Sequence, residues 1–160
     1  MRLHIVYSLR YITGSVFYGG GMDNFPAHGI WMPHRISYGE TDAMGVVYYA
    51  NYLHLFERSR NEYIRARGLS YTEVEKRGIF LPVREAVCRY RRPVRYDDLI
   101  YIRAGIGELA RASFTFIYEI YSEDKTVLHA TGSTQHAVVD NSARPVPVPE
   151  WLRLIIQKTV

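Results

Sequence analysis

The hydrophobic period of this chain changes once, at Gly78, and that change bounds its fold. Before Gly78 lies one long helical pattern. After it, stretches near residues 80–92, 98–108, 112–122 and 127–139 alternate with a period of two, the signature of strands. Phe114, Phe116, Tyr118 and Ile120 alternate with Thr115, Ile117, Glu119 and Tyr121. Glu123-Asp124-Lys125 reads as a hairpin turn. Neighbouring strands joined by short turns run antiparallel. A single long helix with one apolar face needs a cover, and a curved antiparallel sheet supplies it. The pattern therefore predicts an α+β fold.

The elements before the change are punctuated clearly. His34 to Tyr38 reads as a short opening strand, and Gly39 to Val46 as a polar, Gly-punctuated loop. Asn51 is the expected cap of a helix running to about Arg67. Leu53, Phe56, Tyr63 and Ile64 supply its apolar spacing; Glu57, Arg58, Arg60 and Asn61 fill much of the other face. Gly68 ends it at a position needing positive φ. Ser70 to Glu73 forms a capping box that opens a short helix closed by Gly78. Pro145 to Pro149 is extended, and Glu150 to Gln157 makes a last amphipathic turn or two. Residues 1–32 differ in character, with three consecutive glycines and only Arg2, Arg10 and Asp23 charged. They are expected to be an N-terminal extension without catalytic groups, and residues 33–160 the folded domain.

Composition removes several function classes. At 160 residues and 48% hydrophobic the chain makes one domain, too short for a TIM barrel. Cys88 is the single cysteine, so no disulfide or Cys-based zinc site is expected, and a cytoplasmic location is. No run of 18 apolar residues is present, so no membrane span is expected. The six histidines form no H-x-H or H-x-x-x-H pair, and neither a metal nor a cofactor is expected. There is no G-x-S-x-G elbow and no P-loop. The net charge of +4 matches the excess of five Arg over Glu85 between Arg84 and Arg95. That strip reads as a strand face that is solvated or covered by another subunit, and nucleic acid is not an expected partner.

The segment Tyr38-Gly-Glu-Thr-Asp-Ala-Met-Gly-Val-Val-Tyr-Tyr-Ala-Asn-Tyr52 carries the chemistry. It places a carboxylate, Asp42, in a loop just before a long helix. The first turn of a helix has free N–H groups and the positive end of a dipole, which can hold an oxyanion. A carboxylate beside such a terminus is a minimal acyl-transfer site. The competing reading is that Asp42 only caps a turn, and the residues alone weigh the two evenly.

Tyr38 to Arg60, with T-D-A-M-G-V-V-Y-Y-A-N-Y and F-E-R-S-R, resembles the 4-hydroxybenzoyl-CoA thioesterase family, in particular its YbgC-like acyl-CoA thioesterases. The likeness runs from about His34 to Trp151 and includes Pro93 to Leu99 and the strand ending Ala137-Val138-Val139-Asp140. It implies the hotdog fold, a homodimer or homotetramer, and hydrolysis of acyl-CoA thioesters. It assigns Asp42 as the catalytic carboxylate, acting as nucleophile or base, and the Tyr49 N–H as oxyanion donor. Gly45 and Val46 fall at substrate-binding positions, Gly45 allowing close backbone approach. Arg111 and Arg144 match phosphate-binding cations, against a competing reading as solvated turn residues. Glu57 matches the family's helix Glu, although a surface pair with Arg60 or Asn61 is the stronger reading. Many YbgC-like sequences carry His where this chain has Tyr49. Tyr48, Tyr49, Tyr52 and Phe80 either line a pocket or pack in the core. The alternatives are an acyl carrier protein as the thioester's carrier, or a non-catalytic acyl-thioester binder on the same fold.

Overall fold

The structure is a computed structural model that describes residues 25–158. Its strands are β1 (Ile30–Arg35), β2 (Val83–Tyr90), β3 (Leu99–Leu109), β4 (Ser113–Ser122) and β5 (Leu128–Ala137). Its helices are α1 (Asn51–Arg65), α2 (Tyr71–Lys76) and α3 (Glu150–Gln157). The strands form one sheet in the order β1-β3-β4-β5-β2, with every neighbouring pair antiparallel. This is the α+β hotdog arrangement that the resemblance implies.

The inner face of the sheet carries Ile100, Ile102, Ala104 and Ile106 from β3 and Phe114, Phe116, Tyr118 and Ile120 from β4, all buried. Helix α1 lies across it and buries Tyr52, Leu55, Phe56, Ser59, Tyr63 and Ile64. Leu53, expected on this stripe, is 43% exposed; Tyr52 and Leu55 take the inward positions instead. The Phe56 ring stacks on Tyr118 at 4.3 Å and 7° and lies over Gly132 of β5. Tyr63 reaches past the sheet to α3, where its hydroxyl donates to the Ile156 carbonyl at 2.7 Å.

Both helix ends on this side follow the sequence. After α1 the Leu69 N–H returns to the Ile64 carbonyl and the Gly68 N–H to Arg65, with Gly68 at φ +82°. The Ile79 and Gly78 N–H groups repeat this after α2, with Gly78 at φ +75°. Both are Schellman closures. The Ser70–Glu73 capping box is also present.

Two boundaries differ from the sequence reading. The opening strand is Ile30–Arg35, not His34 to Tyr38. It begins on the amino side of residue 33 and pairs Ile30 to Arg35 with Ala104 to Leu99. Pro33 misleads here: it lacks an N–H, but an edge strand tolerates that. Asn51 does not cap α1; the cap position is Ala50 and has no side-chain cap bond. The expectation for the extension falls largely on residues 1–24, outside the described residues.

A buried polar chain crosses the core beneath α1. Tyr118 donates to Thr134 at 2.7 Å, Thr134 to His136 Nε2 at 2.9 Å, and His136 Nδ1 to the Leu81 carbonyl at 2.9 Å. The carbonyl can only accept, so Nδ1 carries a proton, and in the neutral ring Nε2 is left to accept from Thr134. Burial pushes the His136 pKa down to about 4. Unfolding frees the ring to protonate from its ordinary value near 6.5. Wild-type stability should thus fall by up to about 3 kcal/mol as pH drops from 6.5 to 4, and urea melts should show that slope much reduced in His136→Gln. The helix–sheet contact makes a second expectation. A Cβ at Gly132 would stand 2.3 Å from the Phe56 ring and 2.7 Å from the Val87 carbonyl. Gly132→Ala should cost about 1–3 kcal/mol in the same melts.

Candidate active site

The loop carrying Asp42 is a small hairpin laid along the turn that precedes β3. Thr41 and Val47 form an antiparallel bridge, and so do Val46 and Arg95. The Asp42 N–H donates to the Val46 carbonyl and the Gly45 N–H to the Asp42 carbonyl, both at 2.9 Å. Gly45 holds φ +73°, a conformation that strains any residue with a Cβ. The Met44 N–H donates to Asp42 Oδ1 at 2.8 Å. Asp42 thus caps its own turn with one oxygen, while among the described residues Oδ2 makes no hydrogen bond. Both readings weighed for this residue are compatible, because they use different oxygens.

Glu40 anchors the loop from behind. Its carboxylate accepts from the Ser37 N–H at 2.7 Å, the Ser37 hydroxyl at 2.8 Å and His34 Nε2 at 2.9 Å, with Arg58 at 3.6 Å. Burial opposes ionisation of Glu40, but the Ser37 donors and His34 outweigh it and hold the carboxyl below its ordinary range. The Glu40 carbonyl accepts twice, from the Tyr48 N–H at 2.9 Å and from Asn51 Nδ2 at 2.8 Å. Asn51 therefore serves as a tie between the Asp42 loop and the start of α1, a role its sequence position did not announce.

At that helix start the Asn51 N–H donates to the Tyr48 carbonyl at 2.9 Å. Among the described residues the N–H groups of Tyr49 and Ala50 make no hydrogen bond. Two consecutive amides at a helix N-terminus are what an oxyanion requires. The rings of Tyr48 and Tyr49 lie 4.5 Å apart and are largely exposed. The Tyr49 hydroxyl, and more weakly the Asp42 carboxylate, push the Tyr48 phenol up from its ordinary value. Tyr52, by contrast, is a core residue.

Arg111 and Arg144 do not join this group within one chain. Arg111 is exposed in the turn between β3 and β4, where its carbonyl accepts from the Val148 N–H at 2.8 Å. Arg144 is exposed in the loop after β5, where its carbonyl accepts from the Asp140 N–H at 3.0 Å. Both flank the end of the sheet where Val83 pairs with His136. Phe80 is there too, bridged to Val139. Asp42 and Tyr49 sit at the opposite end, beside Tyr90 and Val94. Seven residue steps along β2, from Val83 to Tyr90, separate the two ends, roughly 23 Å. Glu57 is exposed and pairs with neither Arg60 nor Asn61. Among the described residues no three His, Cys, Asp or Glu come together as a metal site, and no helix is long and apolar enough to cross a membrane.

Comparisons with known proteins agree with this fold. The sequence matches the thioesterase-like superfamily over residues 36–156. It is 32% identical over 130 residues to the acyl-CoA thioesterase YbgC of Haemophilus influenzae, covering 79% of this chain and 93% of that one. A crystal structure of a hypothetical protein from Aquifex aeolicus superposes with a TM-score of 0.75 at 31% identity, covering 79% of this chain and 98% of that one. A DHNA-CoA thioesterase from Staphylococcus aureus gives a TM-score of 0.72 at 30% identity, covering 78% and 87%. The match spans most of the chain and includes the Asp42 loop, the long helix and all strands from β2 to β5, so the chain belongs to the thioesterase-like superfamily.

Proposed function

We propose that the protein is a thioester hydrolase that cleaves acyl-CoA to a free acid and CoA. The observation that carries this reading is the free Oδ2 of Asp42 in the same short loop system as two unbonded amides at a helix start. Seated against those amides, a thioester carbonyl becomes more electrophilic, and the oxyanion formed on attack is held by the Tyr49 N–H. Asp42 Oδ2 acts by one of two balanced routes. As a base it takes a proton from the attacking water and returns it to the departing thiolate. As a nucleophile it forms an acyl-aspartyl anhydride, expels the thiolate, and is regenerated by water. Gly45 and Val46 border the acyl group in this reading. The relatives named as acyl-CoA thioesterases support CoA as the carrier. An acyl carrier protein is the alternative, supported by the exposed Arg89, Arg91, Arg92 and Arg95. We place the reaction in the cytoplasm on the ground of the single cysteine.

The proposed working unit is a homodimer, with a homotetramer as its further assembly. β2 is an edge strand whose residues are exposed except for the half-buried Cys88, with Val83, Val87 and Tyr90 uncovered. Such an edge in a monomer invites pairing with another chain. Antiparallel pairing of two β2 strands about a two-fold axis would lay the Val83 end of one subunit against the Tyr90 end of the other. Arg111 and Arg144 of one subunit would then flank Asp42 and Tyr49 of its partner, where the CoA phosphates would sit.

Hydrolysis should be followed by thiol release across a panel of acyl-CoAs. Asp42→Asn keeps the side chain's size and should lower kcat by at least ~10²-fold with the melting temperature nearly unchanged. Near wild-type turnover, with a collapsed melting temperature, would make Asp42 a structural cap only. Arg111→Ala or Arg144→Ala should raise KM for acyl-CoA about tenfold with little effect on kcat. That effect should disappear with a truncated thioester lacking the nucleotide. Sedimentation should give a species at least twice 18.6 kDa.

A further inference from the structure

We propose that Tyr90 is a positioning residue for thioester hydrolysis, its hydroxyl fixing the turn that presents the free amides of Tyr49 and Ala50. The proposal rests on the hydrolase reading above.

The Tyr49 carbonyl stands at the head of α1 but outside its ladder. The Leu53 N–H, the nearest helical donor, bonds the Ala50 carbonyl at 3.2 Å instead. Among the described residues, the donor that the Tyr49 carbonyl meets is the Tyr90 hydroxyl, at 3.0 Å. Tyr90 closes β2, so this bond ties the helix start to the edge strand across 41 residues of sequence. The Tyr90 ring is itself held, packing edge-on against Tyr52 at 4.9 Å and 80°. Tyr52 is buried under α1, so the hydroxyl is presented from a fixed part of the core. Burial, and contact with Cys88, push the Tyr90 phenol up, which keeps the hydroxyl protonated and donating.

The consequence follows from peptide planarity. A peptide plane pinned through its carbonyl has the direction of its N–H fixed as well. The plane joining Tyr48 and Tyr49 is pinned by the Asn51 N–H on the Tyr48 carbonyl. The next plane, joining Tyr49 and Ala50, is pinned by Tyr90. Two consecutive amides are thereby aimed while both remain free, and each accepted hydrogen bond polarises the N–H at the other end of its plane. Without the hydroxyl, the second plane can rotate about the Tyr49 Cα–C bond and take the Ala50 N–H out of line with the Tyr49 N–H. Tyr90 contacts no reacting atom in this scheme; it acts through the backbone.

Tyr90→Phe keeps the ring contact with Tyr52 and removes only the hydroxyl. It should lower kcat roughly tenfold, less than loss of an oxyanion donor itself, and leave KM for acyl-CoA within about twofold. Two CoA analogues separate positioning from a general structural role. An acyl-CoA analogue with a trifluoromethyl ketone in place of the thioester binds as a tetrahedral oxyanion, and its affinity should fall by the same factor as kcat. A thioether analogue has no carbonyl, and its affinity should be unchanged. Wild-type kcat in Tyr90→Phe would overturn the assignment, and so would equal weakening of both analogues. If the wild-type protein hydrolyses no acyl-CoA, the hydrolase reading falls and this proposal with it. Normal wild-type turnover alongside an unaffected variant removes Tyr90 alone.

Discussion

The close approach of α1 to the sheet at Gly132 sets the position of everything else. The missing Cβ lets the Phe56 ring rest on β5 and stack on Tyr118. Any side chain at 132 would lift the helix off the sheet. With the helix seated there, its first turn comes level with the end of β2, within reach of the Tyr90 hydroxyl. The same seating brings Asn51 to the Glu40 carbonyl and so draws in the loop bearing Asp42. A packing contact in the middle of the helix thus fixes the geometry of a polar site at its end.

The site itself is held mainly by backbone and by charge behind it. The Glu40 side chain takes Ser37 and His34, and its carbonyl takes Tyr48 and Asn51, so one residue links β1, the Asp42 loop and α1. Asp42 uses Oδ1 to shape its turn and leaves Oδ2 uncommitted. In the proposed mechanism, this division lets the carboxylate be held rigidly by one oxygen while the other acts. Rigid placement of the acting groups before substrate arrives is the larger part of what such a site contributes to rate.

Much of this was legible from residue order, and the failures have physical reasons. The capping box at Ser70, the glycines ending α1 and α2, and the period-two strands are local signals, and they appear as read. The loop–helix motif carried both Asp42 and the helix start, because those residues are close in sequence. Leu53 was misplaced because Tyr52 and Leu55 fit the same helical spacing, and only the Gly132 contact decides which stripe faces inward. Asn51 has the composition of a cap but bonds a carbonyl eleven residues back, a contact no local rule contains. Arg111 and Arg144 lie at the other end of β2 from Asp42 within one chain, a separation set by strand register, which residue order does not carry. Tyr90 gave no signal, since its partner is a backbone atom 41 residues away.

That separation makes the proposed dimer the central claim, because one chain alone cannot bring the two ends together. Subunit mixing tests it directly. Asp42→Asn chains and Arg111→Ala/Arg144→Ala chains are unfolded together, refolded, and assayed at acyl-CoA well below KM. If each site takes Asp42 from one subunit and the arginines from its partner, every mixed dimer contains one intact site. Statistical mixing should then restore about a quarter of wild-type activity from two parents that are each nearly inactive. Activity no higher than the average of the two parents would mean that the arginines and Asp42 serve the same subunit, and would contradict the account.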